Sequence, residues 1–182
     1  MQASRSLRSV RSARARASRS LLKARCNVHK KRTAVLISGR GSNLQSLIDA
    51  AQAAEYPAEI ALVISNKADA YGLERAAKAG IATQVISHRD YDGRDAFDAA
   101  LDTALRAAKI EIVCLAGFMR LLTPDFTQKW EGRMINIHPS LLPKYKGLDT
   151  HQRAIDAGEA QAGCTVHYVA PEMDSGEIIR QG

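Results

Sequence analysis

Continuous apolar runs and half-apolar stripes alternate along this chain from Thr33 to its last residue. Thr33–Ser38 (TAVLIS) is an unbroken apolar run, the pattern of a parallel strand buried on both faces. Leu44, Leu47, Ile48 and Ala51 then fall at i, i+3, i+4 and i+7, a single apolar stripe along a helix. Ile60–Ser65 predicts a second strand, Gly72–Ala79 a short helix stopped by Gly80, and Ile81–Ile86 a third strand. Asp95–Ala108 predicts a helix with Phe97, Leu101, Ala104, Leu105 and Ala108 on one face. Ile110–Ala116 (IEIVCLA) is another buried strand. Thr123-Pro124-Asp125 starts a further helix, with Trp130 packing at its end. Met134–His138 is a short buried strand that Pro139 terminates. Asp149–Asp156 predicts a short helix ended by Gly158. Gly163–Val169 predicts a half-exposed strand, with Cys164, Val166 and Tyr168 set against Thr165 and His167. Glu177–Arg180 starts another strand. This β-α alternation predicts an α/β fold: a doubly wound, mostly parallel sheet with helices on both faces.

Charge divides the chain in two. The 182 residues carry 26 Lys and Arg against 19 Asp and Glu, a formal +7. Eleven of the basic residues lie within residues 1–32, which contain no acid. Residues 33–182 therefore hold fifteen basic and nineteen acidic side chains, a mildly acidic body unlike a nucleic-acid surface. The expected organisation is a disordered basic leader over 1–32 and one folded domain over 33–182. Rich in Arg, Ser and Ala, the leader has the composition of an organellar transit peptide. A basic arm that touches polyanions, or non-functional sequence upstream of the true start, fits it as well. The body is expected in the cytoplasm, or in an organelle if the leader is a transit peptide. Cys26, Cys114 and Cys164 are scattered without C-x-x-C spacing, which argues against a disulfide framework or a zinc site. Cys114, inside an apolar run, is expected to be inert core. No stretch approaches the roughly 18 consecutive apolar residues of a membrane span.

Three stretches carry candidate chemistry. Gly39-Arg40-Gly41-Ser42-Asn43 joins the first strand to the first helix, with Ser42 or Asn43 a competent N-cap. Backbone N–H groups and a helix dipole at one point suit a phosphate. Leu44 occupies the third glycine position of G-x-G-x-x-G, and Ser65-Asn66 stands where a ribose-binding acid would be needed, so a dinucleotide is disfavoured. Gly117–Leu122 is a loop of unusual apolar bulk, either a cap on the core or a wall for a flat apolar ligand with Arg120 beside it. On the strand Met134–His138, alternation turns Asn136 and His138 to one face and Ile135 and Ile137 to the other. An amide able to hold an oxyanion and an imidazole able to move a proton thus share one wall at a strand's carboxyl end. Equally, His138 could be a core histidine that satisfies a neighbouring backbone group. Asp174 alone reads as a turn acid beside Gly176, and His151 and His167 as structural or surface histidines, although His167 lies on a strand that could approach the site.

The phosphate loop, the run Asn136-Ile137-His138-Pro139-Ser140-Leu141-Leu142-Pro143 and the loop ending Met173-Asp174-Ser175-Gly176 occur in a specific order. With SNKADAYGLERA and AGFMRLL between them, the chain closely resembles the phosphoribosylglycinamide formyltransferases, the folate-dependent enzymes of purine (IMP) synthesis. The resemblance runs from Thr33 to the last residue and implies that family's Rossmann-like formyltransferase fold. It implies transfer of the formyl group of 10-formyltetrahydrofolate to the amine of 5-phosphoribosylglycinamide, with no metal. By it, Gly41, Ser42 and Asn43 would hold the phosphate of the nucleotide. Arg94, Met119, Arg120, Leu121 and Leu122, with Asn136, would line the folate pocket. Asn136, His138 and Asp174 would be the catalytic group, Asp174 stabilising the charged His138 imidazole and raising its pKa. Members of the family normally continue with a further strand and a closing helix, so the resemblance implies a C-terminally truncated member.

The expected partners are small-molecule substrates, with no specific nucleic acid and no membrane, in a monomer or homodimer. Other readings are a formyltetrahydrofolate hydrolase, another folate-dependent formyltransferase such as a methionyl-tRNA formyltransferase, an inactive fragment, or a non-catalytic polyanion binder that uses the leader.

Overall fold

In the computed structural model the described residues are 29–182. The expected leader therefore lies outside them over residues 1–28. Seven strands form one sheet in the order β3-β2-β1-β4-β5-β6-β7. These are β1 (Lys31–Ile37), β2 (Ala58–Ser65), β3 (Thr83–Val85), β4 (Ile112–Leu115), β5 (Met134–His138), β6 (Thr165–Tyr168) and β7 (Ile178–Gln181). Strands β1 to β5 pair in parallel, and β6 and β7 are added antiparallel. Among the described residues five α-helices accompany them: α1 (Ser42–Ala51), α2 (Tyr71–Lys78), α3 (Arg94–Ala107), α4 (Pro124–Lys129) and α5 (Thr150–Asp156). A 3₁₀ turn, His88–Asp90, precedes α3. No described helix is long and apolar enough to cross a membrane.

The continuous apolar runs are explained by burial on both faces. Alternate residues of β1 serve separate cores, Ala34 and Leu36 packing on the α3 side with Phe97, Leu101, Leu105, Phe126 and Trp130. Val35 and Ile37 pack on the α1 side with Leu44, Ile48 and Ala76. A helix layer on each face is the expected doubly wound arrangement. Thr123 caps α4 by accepting from the Phe126 N–H, and Trp130 at its far end donates its indole N–H to Asp102. Cys114 is buried, and loss of solvation pushes its thiol up to about 11, as expected of inert core.

The first strand begins at Lys31, two residues earlier than expected. The ammonium of Lys31 pairs with Glu111, whose carboxylate also accepts the Arg32 N–H. Meanwhile the Arg32 guanidinium donates to the Ala108 carbonyl and to Glu59. Two basic residues assigned to the leader thus tie β1 to its neighbours through partners distant in sequence: Glu59 on β2, the Ala108 carbonyl and Glu111.

Asp98 sits buried on α3 and accepts the Thr123 N–H at 2.7 Å, while its Oδ1 has no partner among the described residues. Burial raises its pKa, and the hydrogen bonds to Thr123 only partly oppose this. A carboxyl whose folded pKa lies above its unfolded value stabilises fully below the unfolded pKa, and that contribution is lost as pH rises through the folded one. Asp98→Asn is therefore expected to reduce the fall in urea midpoint between about pH 4 and pH 7. Parallel slopes in wild type and variant would contradict this assignment.

Candidate functional site

The site lies at the carboxyl ends of β1, β4 and β5, where the strand order reverses direction. Leu36 pairs with Leu115, and Leu115 with Asn136, so the strand that leads into the glycine loop runs two strand spacings, about 10 Å, from β5. The expected N-cap is corrected here: Gly41, not Ser42 or Asn43, caps α1 in a left-handed conformation without a side-chain hydrogen bond. Its φ of 68° suits glycine, and a Cβ there would stand 2.7 Å from the Cα of Gly72. Gly72 in turn donates its N–H to the Gly39 carbonyl. Two glycines in contact therefore shape the loop, and Ser42 and Asn43 become the exposed first residues of the helix.

The apolar loop after β4 divides between both expected roles. Phe118 and Leu122 pack against the core, with Phe118 stacked on Phe97. Met119 and Leu121 project into solvent at 65% and 59% exposure, an apolar wall rather than a cap. The loop is anchored to the first strand, since Ser38 Oγ accepts the Met119 N–H and donates to buried Asn66. Arg120 Nε is buried with no hydrogen-bond partner among the described residues. Burial, reinforced by the charges of Arg120 and Arg89, holds His88 below the ordinary histidine range. Arg94 is exposed at the start of α3, one turn before the Asp98 that holds the loop's end.

Strand β5 places Asn136 and His138 on one face as alternation requires, and Asp174 arrives from the loop after β6. Its Oδ2 lies 3.4 Å from His138 Nδ1 and accepts the Gly147 N–H at 2.9 Å. His138 Nε2 lies 2.9 Å from the Tyr145 carbonyl oxygen. Carboxylate and carbonyl both accept, so each ring nitrogen of His138 faces an acceptor. His138 and Asp174 are both largely buried, at 6% and 10% side-chain exposure.

Strand β6 is half-exposed and alternates as expected. Its polar positions, not its apolar ones, are the buried ones: Thr165 is 0% and His167 2% exposed, whereas Tyr168 is 36% exposed. The antiparallel register sets His167 opposite Asn136 and Thr165 opposite His138, and directly opposed residues share a face. His167 Nε2 lies 3.2 Å from Asn136 Nδ2 and 3.7 Å from Asp174 Oδ1. His167, which reads as a structural or surface residue on a strand able to approach the site, does approach it. His151 is exposed on α5, as a surface histidine would be.

The Formyl transferase family model matches residues 31–182, which span the glycine loop, β5 and the Asp174 loop together. The chain belongs to the formyl transferase family. This formyl transferase chain is 51% identical over 151 residues to the phosphoribosylglycinamide formyltransferase of Haemophilus influenzae, covering 83% of this chain and 71% of that protein. It is 55% identical over 152 residues to the trifunctional purine biosynthetic protein adenosine-3 of Homo sapiens, covering 84% of this chain. The chain spans only 15% of that protein's length, and 11% of the corresponding Drosophila pseudoobscura protein. Among solved structures, it matches glycinamide ribonucleotide transformylase 1 from Symbiobacterium toebii with a TM-score of 0.82 and 46% identity. That match covers 85% of this chain and 73% of the other.

Proposed function

We propose that this chain transfers the formyl group of 10-formyltetrahydrofolate to the amine of 5-phosphoribosylglycinamide, a step of purine synthesis. The observation that carries this reading is the convergence of Asn136, His138 and Asp174 at the carboxyl ends of the central strands, the end from which the glycine loop leaves β1. Relatives that match over most of this chain bear the name of that activity. In this reading Gly41, Ser42 and Asn43 receive the nucleotide phosphate at the α1 N-terminus, where free N–H groups and the helix dipole favour an anion. Met119 and Leu121 offer their exposed apolar surface to the flat pterin, with Arg120, Leu122, Arg94 and Asn136 completing the donor pocket.

The substrate amine attacks the formyl carbon, forming a C–N bond and moving the carbonyl electron pair onto oxygen. Asn136 donates an N–H to that oxyanion, and a donor in this role is worth about 3–4 kcal/mol in the transition state. When protonated, His138 beside Asp174 adds positive charge to the site. One proton must leave the amine nitrogen and one must reach N10 of the folate, and His138 relays it once bound substrate displaces the Tyr145 carbonyl. Collapse of the tetrahedral carbon then re-forms the carbonyl and breaks the C–N10 bond.

Consumption of 10-formyltetrahydrofolate by the chain, followed with and without the nucleotide, tests this. Consumption that requires the nucleotide is expected. Consumption without it would point to a hydrolase, and binding of the donor without turnover to an inactive fragment. The phosphate assignment has its own test in Gly41→Ala. Left-handed backbone and the contact with Gly72 are expected to cost about 1–3 kcal/mol of stability. The nucleotide KM should rise several-fold more than the folate KM, and equal rises would remove the loop from the phosphate site.

A further inference from the structure

The transfer chemistry leaves His167 without a role, although it is buried beside the amide that holds the oxyanion. His167 Nδ1 lies 2.8 Å from the Tyr168 carbonyl oxygen. A carbonyl only accepts, so Nδ1 carries the proton, and in the Nδ1–H tautomer Nε2 presents a lone pair. Nδ2 of Asn136 stands 3.2 Å from that lone pair. An amide nitrogen only donates, so the contact turns the carboxamide nitrogen toward His167 and its oxygen away. Asp174 Oδ1, at 3.7 Å from the same Nε2, lies beyond hydrogen-bond reach, while its other oxygen is taken by Gly147 and faces His138.

We propose that His167 is a positioning residue for formyl transfer: as the Nδ1–H tautomer it locks the Asn136 carboxamide with its second N–H free to face the oxyanion. The need follows from the shape of an amide. Its nitrogen and oxygen ends are nearly isosteric, so without a polar partner two orientations half a turn apart compete. One presents a donor to the developing negative charge, and the other presents an oxygen that repels it. A lone pair fixed on β6 opposite β5 selects the first before substrate arrives, which is the preorganisation that oxyanion stabilisation requires. The Tyr168 carbonyl that fixes the tautomer is itself held against Gly176 of the Asp174 loop, so amide and carboxylate are set by one junction.

This inference rests on the formyl-transfer reading and has a readout independent of it. His167→Leu is expected to lower kcat about 10–100-fold, a partial loss of the oxyanion donor, with both KM values within about threefold. His167→Gln, whose side-chain oxygen can accept from Asn136, should recover most of that loss. In an Asn136→Ala background, His167→Leu should cost less than about twofold more. Equal impairment of the Leu and Gln variants, or losses that multiply with Asn136→Ala, would overturn the role. Long-range ¹H–¹⁵N NMR of the wild-type chain reads the tautomer directly, whether or not the Leu variant folds. A protonated Nδ1 with a bare Nε2 supports the lock, and a protonated Nε2 overturns it. A wild-type chain without transfer activity would sink the formyl-transfer reading while the NMR result still decided the orientation of the amide.

Discussion

Asn136→Ala is expected to lower kcat by about 10²–10³, the usual loss on removing one oxyanion donor, and to leave the donor KM within a few-fold. The residue sits on the central edge of the site, half-buried on β5, with its amide bonded only to His167 among the described residues. Truncation removes no core contact, so the melting temperature should fall by only a few degrees, as for a loss of about 1 kcal/mol. The separation of the two readouts is what matters. A large drop in kcat with an unchanged fold places the amide in the transition state. Retained activity would mean that the oxyanion is held elsewhere, and the role given to β5 would fall.

Gly176→Ala should be nearly as damaging although Gly176 carries no functional group. A Cβ at this position would overlap the Tyr168 carbonyl oxygen and lie 2.7 Å from its carbon. Both are backbone atoms of β6, held in the sheet by pairing with β5 and by the Tyr168 N–H to the Glu177 carbonyl. The strand cannot give, so the loop must lift, and it carries Asp174 two residues earlier. Asp174 already sits at a φ of 49°, a conformation an aspartate tolerates when its neighbours impose it. A shift of about 1 Å at a catalytic group can cost 10²-fold, so kcat should fall by at least that order, with a stability loss of about 1–3 kcal/mol. Matched kinetics and thermal melts check this, and wild-type kcat in a folded Gly176→Ala variant would show that the loop's seating is irrelevant to catalysis.

The legible parts of the fold were those where one physical rule acts alone. Double burial makes β1 and β4 unbroken apolar runs, and a helix stripe marks α3, so those elements fell within a few residues of their positions. Strand β5 matched at both ends because Pro139 stops it and alternation orients it. The resemblance to the formyltransferases brought Asp174 to His138, which composition and spacing alone could not do. Strand β6 alternates as its sequence implies, but which face is buried was not legible, because a strand that lines a polar site buries Thr165 and His167, reversing the usual relation between polarity and exposure. Lys31 and Arg32 looked like leader because their partners, Glu111, Glu59 and the Ala108 carbonyl, are remote in sequence. Gly72 and Gly176 gave no local sign either, since the need for glycine there comes from a backbone that approaches only in the folded state.

The most direct test of the central claim follows the formyl carbon itself. With 10-formyltetrahydrofolate labelled at the formyl position with ¹³C, the label is expected on the amine nitrogen of 5-phosphoribosylglycinamide, mole for mole with donor lost. Asn136→Ala should slow its appearance without diverting it. Label recovered as free formate, at a rate indifferent to the nucleotide, would contradict the account and identify water as the acceptor.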